Sequence, residues 1–470
     1  MQYKYTVLIN ATIGLFMALL DSSIVLISLP TIIRKLPGTT AFDGVWIIMG
    51  YTLINATLLL TFGRLADIFG RVRLYNLGFA IFTVGSGLCS ISPNGASLVL
   101  FRLIQGAGGA LVFSSNAAII TDAFPVNERG KAIGITQVTG TAGSVFGLVL
   151  GGILTATLGW RSIFWINLPV GTFATVWAYK RLRELNPNRG AEKLDYLGNV
   201  IFGLGLTLLL VGLTFGSISG WSYVDYVQIG LGVLLIGVFA FAETRAKSPM
   251  MDLKLFKIRA FSAGAFSNLL AAIARGAVSL VLVFYFQGVL LLDAFTAGVL
   301  LIPFSVAFVT AGPLSGYLSD KHGATLFSTL GLAVSAAGLL WFSFLPEGVP
   351  YKMLVVPMIL VGVGGGLFSA PNLTSIMNSV PVIRRGVAAG MSSLLFNVGY
   401  LLSISIAFVI MASSVPLNVL QEIFAGVTIT GNGLNAAIFV GAMHRIFLLM
   451  AAISVIAIIP SISRGARKQR

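Results

Sequence analysis

One cysteine, Cys89, and two histidines, His322 and His444, are all that 470 residues offer to disulfide or zinc chemistry. A single thiol excludes a disulfide framework, and His322, in a cytoplasmic loop, and His444, near an outer helix end, give no expectation of a metal site. Charge is scarce as well. Asp, Glu, Lys and Arg make up 10% of the chain, while 57% is hydrophobic and the mean hydropathy is +0.95. A soluble domain carries about 25% charge, so the composition is that of an all-α integral membrane protein. No GxxxxGK[ST] stretch exists, which removes the usual sign of ATP drive. No nucleophile–base pair or ligand cluster is visible, so neither an enzyme nor a cofactor is expected. The first apolar run is too long for a cleavable signal, and no small-residue cleavage site follows it.

Long apolar runs are present instead. They lie at about 6–31, 44–64, 74–93, 96–121, 131–156, 162–182, 195–216, 224–243, 260–287, 293–317, 324–345, 351–377, 386–412 and 437–460, which predicts fourteen membrane helices. An even number puts both termini on one side. Most of the 30 Lys and Arg fall in the loops after even-numbered spans and at the termini. By the positive-inside rule the termini are cytoplasmic, and a cell (plasma) membrane location is expected. The net charge of +15 is thus an orientation signal first and an attraction to membrane lipids second. Nucleic-acid binding is not expected. The segment 413–436 is predicted to hold a short amphipathic helix on the outer surface.

One acid stands apart. Asp21 is about fifteen residues into the first span, roughly 22 Å at 1.5 Å per residue. That depth is close to the middle of a hydrocarbon core about 30 Å thick, where an ionisable group is costly and marks a functional site by default. Helical spacing puts Asn10, Gly14 and Ser28 on its face. The alternative is a neutral carboxylic acid serving as packing glue. Arg102, in Phe101-Arg102-Leu103-Ile104-Gln105-Gly106, is the natural partner for such an acid, with snorkelling to the interface as its alternative. An arginine lowers a carboxyl pKa and burial raises it, so an acid poised between them can load and release a proton.

The chain repeats. Gly63-Arg64-Leu65-Ala66-Asp67-Ile68-Phe69-Gly70 and Gly316-Tyr317-Leu318-Ser319-Asp320-Lys321-His322-Gly323 both read G-x-L-x-D-x-x-G. Gly106 to Leu111 with Asn116 and Pro125 matches Gly362 to Leu367 with Asn372 and Pro381. Arg129-Gly130 matches Arg385-Gly386. All three share an offset of about 255 residues. Two parallel six-helix repeats follow, with spans 7 and 8 as an inserted hairpin: residues 1–182, 183–259 and 260–470. In the first repeat, Gly63 and Gly70 are expected to permit a tight turn and close approach, Asp67 to sit at a helix N-terminus, and Arg71 to pair with Asp122 as a cytoplasmic gate. Plain topogenic charge is the other explanation.

Gly143, Gly147 and Gly151, spaced by four in span 5, form a small-residue stripe for packing or for a hinge between the halves. Arg275, about fifteen residues into span 9, shares its predicted face with Asn268 and Ser279. The repeat offset puts it at the depth of Asp21. It is expected to face Asp21 across a central cavity, either pairing with it in the empty state or binding an anionic substrate group. A structural role against backbone carbonyls is the alternative.

These residues resemble the fourteen-helix drug:proton antiporters of the major facilitator superfamily. Leu20-Asp21-Ser22-Ser23-Ile24-Val25 to Leu29-Pro30 resembles the family's helix 1 motif, Gly63 to Arg73 motif A, and Arg102 to Gly109 motif B. Trp160-Arg161-Ser162-Ile163-Phe164-Trp165-Ile166-Asn167-Leu168-Pro169 is similar to the signature entering helix 6. Span 5 resembles motif C, with Leu148 where that motif usually has proline. The resemblance implies proton-driven export of amphipathic small molecules by alternating access, by a monomer. Asp21 would then sense protons and cations with Arg102 as coupling partner, and Asp67, Arg71 and Asp122 would gate the cytoplasmic side. Span 10 holds only Asp293, at its outer edge, so dications are expected to be poor substrates. A proton symporter importing a metabolite, or a lipid-handling protein with a silent Asp21, remains open.

Overall fold

The computed structural model describes residues 2–185, 195–246, 249–346, 348–381, 384–427 and 434–464. The basic stretch predicted after span 6, Lys180 to Lys193, is therefore described only to residue 185. The chain is a bundle of long helices: α1 (Tyr3–Lys35), α2 (Ala41–Phe69), α3 (Arg71–Ser90), α4 (Gly95–Ala123), α5 (Val126–Thr157), α6 (Ser162–Trp165) and α7 (Asn167–Arg181). Two more, α8 (Tyr196–Ser219) and α9 (Tyr223–Arg245), pack on each other. Then come α10 (Arg259–Arg275), α11 (Val278–Phe284), α12 (Ala294–Leu300), α13 (Ile302–His322), α14 (Ala324–Phe342), α15 (Tyr351–Ser379), α16 (Arg385–Ser414), α17 (Leu417–Ala425) and α18 (Leu434–Ser463).

Thirteen spans among the described residues are long and apolar enough to cross a membrane. The difference from fourteen lies in the sixth predicted span. It arrives in two pieces, α6 and α7, that break at Ile166, just before the Asn167-Leu168-Pro169 turn of chain. Proline lacks an amide hydrogen and tolerates only the first turn of a helix, so α7 starts there. The predicted spans 9 and 10 are each present as one candidate span, Arg259–Val289 and Ala294–Ser319, with a local irregularity inside. Arg275 ends α10, and α12 passes into α13 at Leu301.

Helix ends follow local chemistry. Thr40 and Asp43 cap each other at the start of α2, as do Asn94 and Ser97 at α4 and Ser222 and Asp225 at α9. Asp293 caps α12. The Thr296 hydroxyl and nearby amides hold its carboxyl below the usual carboxylate range, which makes it a helix cap rather than a membrane charge. The two copies of the G-x-L-x-D-x-x-G motif end alike: Gly70 has φ 104° and Gly323 has φ 93°, each joining two helices through a backbone that favours glycine.

Contacts define two faces. Tyr3 donates to the Arg183 carbonyl, Lys4 pairs with Glu128 at 2.6 Å, Asp252 pairs with Arg384 at 2.5 Å, and Arg259 donates to the Ser463 carbonyl. These contacts gather both ends of the chain on one face, called the terminal face below. The opposite, far face is closed by α17. That short helix is buried along Val419, Leu420, Ile423 and Phe424, with Phe424 stacked on Phe284 at 3.7 Å between centroids. It is amphipathic, as expected: its apolar face is seated on α1, α2 and the Tyr285–Val289 turn, while Leu417 and Asn418 are exposed.

Candidate functional site

Asp21 and Arg102 meet in the interior of the first six spans. Arg102 Nη1 is 2.5 Å from Asp21 Oδ2, and the side chains are 1% and 0% exposed. Arg102 does not snorkel. Its Nε donates to the Ile47 carbonyl at 3.1 Å, Nη1 also donates to Gln105 Oε1 at 2.7 Å, and the guanidinium sits 4.4 Å from the centre of the Tyr51 ring. The other Asp21 oxygen accepts from Gln105 Nε2 at 2.9 Å and from Asn167 Nδ2 at 2.7 Å. Asn167 in turn donates to Ser86 Oγ, and Ser86 to the Phe164 carbonyl. Cys89 lies against Gln105, 3.7 Å away. A buried ion pair is retained only when its remaining lone pairs and protons are used in this way.

Sequence reasoning identified the acid and its arginine and missed Gln105, Asn167, Ser86 and Tyr51. Gln105 sits one turn from Arg102 on the same helix, and Asn167 is a lone amide in an apolar run, so both left a faint signal. The rest of the predicted polar face of α1 packs on helices of the same bundle, with Asn10 Oδ1 buried and without a hydrogen-bond partner. Asn10 Nδ2 donates to the Ala174 carbonyl, Ser28 bonds Thr155 at 2.6 Å, and a Cβ at Gly14 would come within 2.6 Å of the Tyr75 hydroxyl.

The glycine stripe of α5 holds this helix against α1 beside Asp21. A Cβ at Gly143 would lie 2.7 Å from the Phe16 carbonyl oxygen, one at Gly147 2.7 Å from that of Leu20, and one at Gly151 2.6 Å from Ile27 Cγ2. The same helix meets the later part of the chain near the far face. Gly152 receives the backbone of Ala294 and Phe295 at the start of α12, and a Cβ at Gly298 would be 2.5 Å from the Leu148 carbonyl oxygen. Gln287 Nε2 donates to the Ile27 carbonyl at 2.8 Å, and Gln421 bonds both Thr39 and Ala41.

At the terminal face Arg71 is chelated. Nη1 lies 2.9 Å from both oxygens of Asp122, and Nη2 is 2.7 Å from Asp67 Oδ1. Glu184, which sequence reasoning did not single out, accepts the Arg71 and Val72 amides at 3.1 and 3.0 Å and so caps α3. Gly70 makes room for it: a Cβ there would lie 2.7 Å from Glu184 Oε2. Gly63 differs from expectation. It lies inside α2, and a Cβ there would meet only Ser114 at an ordinary 3.9 Å. Arg64 reaches the Pro249 carbonyl in the linker after α9.

Arg275 is not a partner of Asp21 in this structure, since the acid is already saturated by Arg102, Gln105 and Asn167. Its Nε donates to the Ala271 carbonyl at 3.3 Å, and its guanidinium faces the Phe368 ring at 5.8 Å. Asn268 Nδ2 bonds Ser392 on α16. Ser279 is on α11, beyond the Gly276–Ala277 turn, so the continuous face predicted for Asn268, Arg275 and Ser279 is broken in two.

The family model described as Major Facilitator Superfamily matches residues 11–404 and 264–464. The chain is 33% identical over 421 residues to the riboflavin transporter RibZ of Clostridioides difficile (strain 630), covering 89% of this chain and 90% of that protein. It is 32% identical to the methylenomycin A resistance protein of Bacillus subtilis (strain 168), covering 86% and 87%. Among solved structures, a bacterial homologue of the human lysosomal transporter Spinster superposes with a TM-score of 0.68 at 17% identity, covering 98% of this chain and 97% of that one, which is a likeness of fold.

Proposed function

The chain belongs to the major facilitator superfamily, and we propose that it is a proton-coupled exporter of amphipathic small molecules, of the fourteen-span drug:proton antiporter kind. As a member of that family it is a multi-pass membrane transporter of small molecules and not an enzyme. The finer reading rests on one observation: a carboxylate near mid-membrane, fully buried, held by an arginine and two amides. In this state Asp21 is closed to water, so proton exchange requires the helices around it to part. Alternating access opens the inner face of the first bundle to water, and a rearrangement within that bundle that draws Arg102 off the acid lets Asp21 take up a proton there. The methylenomycin relative carries resistance in its name, which favours export.

In this reading residues 1–182 and 260–470 are the two rocking bundles and 183–259 the inserted hairpin with its linkers. The terminal face is cytoplasmic and the membrane is the plasma membrane, in line with the positive-inside loops. Gly143, Gly147 and Gly151 keep α5 and α1 together as one body, and the Asp67–Arg71–Asp122 cluster gates the cytoplasmic side.

The test uses purified protein in liposomes with an imposed pH gradient and an amphipathic fluorescent substrate. Export predicts substrate movement opposite to the protons, reversed when the gradient is reversed. Movement in the same direction as the protons identifies a symporter, and no proton movement on adding substrate removes coupling altogether.

A further inference from the structure

The charges near the middle of the bundle do not cancel. Asp21 and Arg102 neutralise each other at 2.5 Å. Arg275 adds a second cation, and among the described residues no carboxylate lies within ion-pair distance of it. One backbone carbonyl accepts from it and one ring face lies near it. Both are dipolar or quadrupolar, and neither carries a countercharge. An arginine inside a membrane span without a counterion is expensive to keep, so its presence calls for a role.

Its setting is built. A methyl group at Gly365 would overlap Nη1, so the glycine on α15 is what makes room for the guanidinium there, beside Phe308 of α13. The residue is half-buried, and its terminal nitrogens, which hold no protein hydrogen bond, are not sealed away. The helix loosens just past this residue: α10 ends at Arg275 and α11 begins at Val278, while Gly276 and Ala277 keep a right-handed backbone and the span runs on. The turn between them is pinned by the Ala277 amide donating to Ser403 Oγ at 2.9 Å. Irregular spans near the midplane are where transporters of this architecture hold their cargo.

We propose that Arg275 anchors an acidic group of the transported molecule, a carboxylate, sulfonate or phosphate, while the apolar body of that molecule lies against the partly exposed Phe308. The guanidinium offers two donors in a fork that fits such a group. The proposal rests on the transporter reading and narrows its substrate class to amphipathic anions. The countercharge then comes and goes with the cargo, which ties the charge of the central site to its occupancy.

The experiment measures binding of 1-pyrenebutyrate and of 1-pyrenebutanamide to the full chain in lipid nanodiscs, in gluconate and in chloride buffers. Wild type is expected to bind the carboxylate at least tenfold more tightly than the amide. Arg275→Gln is expected to erase that preference while leaving amide affinity within threefold, and Arg275→Lys to keep part of it. A wild type that binds the carboxylate no better than the amide, or not at all, overturns the proposal. So does a preference that survives in Arg275→Gln. If chloride alone stabilises wild type as much as the carboxylate does, the site holds an inorganic anion and the assignment to cargo falls. A folded Arg275→Gln, judged by its thermal midpoint, separates loss of charge from loss of structure. Failure of the exporter reading shows differently: pH-driven flux is absent while the carboxylate preference remains.

Discussion

Arg102 and Asp21 are 81 residues apart in sequence and 2.5 Å apart in space, and Arg102 spends the same nitrogen on Gln105. The acid therefore cannot change its charge without disturbing the amide next to it. Asp21→Asn keeps the shape and most of the hydrogen bonds but removes the titrating group. We expect pH-driven flux to fall at least a hundredfold while the protein still elutes as a folded species. Arg102→Ala leaves a buried carboxylate without its partner, a loss of about 3–5 kcal/mol for breaking a buried pair. A thermal-unfolding scan should show it as a clear drop in midpoint.

Gly147→Leu puts a side chain where the Leu20 carbonyl oxygen would be 2.7 Å from its Cβ. Backbone cannot step aside as a side chain can, so overpacking of about 1–3 kcal/mol is expected. Gly63→Ala, which has room at 3.9 Å inside α2, serves as the control and should unfold at the wild-type temperature or slightly above it, since alanine favours the helix over glycine.

Arg71→Lys should fail to replace Arg71. One ammonium cannot hold both oxygens of Asp122 and Oδ1 of Asp67 in the forked geometry seen here. Transport is expected to drop severalfold with the protein still folded. A lysine variant with wild-type flux would reduce the cluster to simple positive charge.

Phe424→Ala removes a ring stacked 3.7 Å from Phe284 and leaves α17 without its main apolar anchor. The cost is about 3–5 kcal/mol if the site does not collapse. Water access at the far face should rise, read as faster maleimide labelling of a cysteine placed at Ile27.

Dications are expected to be exported poorly, since Asp21 is saturated and Asp293 is occupied as a helix cap. A vesicle assay that compares a dication with a singly charged analogue of equal hydrophobicity decides this. Strong dication efflux would oblige another acid to take part.

The pairing of Asp21 with Arg102 was legible in the sequence because so few charges are placed inside apolar runs. Gln105 and Asn167 were not, since neutral amides leave little trace in hydropathy. The local irregularity after Arg275 was hidden for a related reason. The run from 260 to 287 is apolar throughout, and the length rule reads apolar continuity as helical continuity. Gly276 and Ser403, which together make the turn, announce themselves only once α16 is in place. Glu184 was missed because a loop carboxylate near several basic residues reads as surface charge. Its partners are backbone amides, which carry no letter of their own in a sequence. The α17 helix was found, but its burial depends on an apolar seat made by three distant segments.

Where Gly152 meets Ala294 and Phe295, main chain rests directly on main chain with no side chain between. Nothing at that point can be titrated, screened by salt or rotated out of the way. Such a contact answers only to the relative position of two rigid helices, so it can act as a mechanical stop that fixes how far the closing movement goes. Ionic strength should leave the end point of that movement where it is.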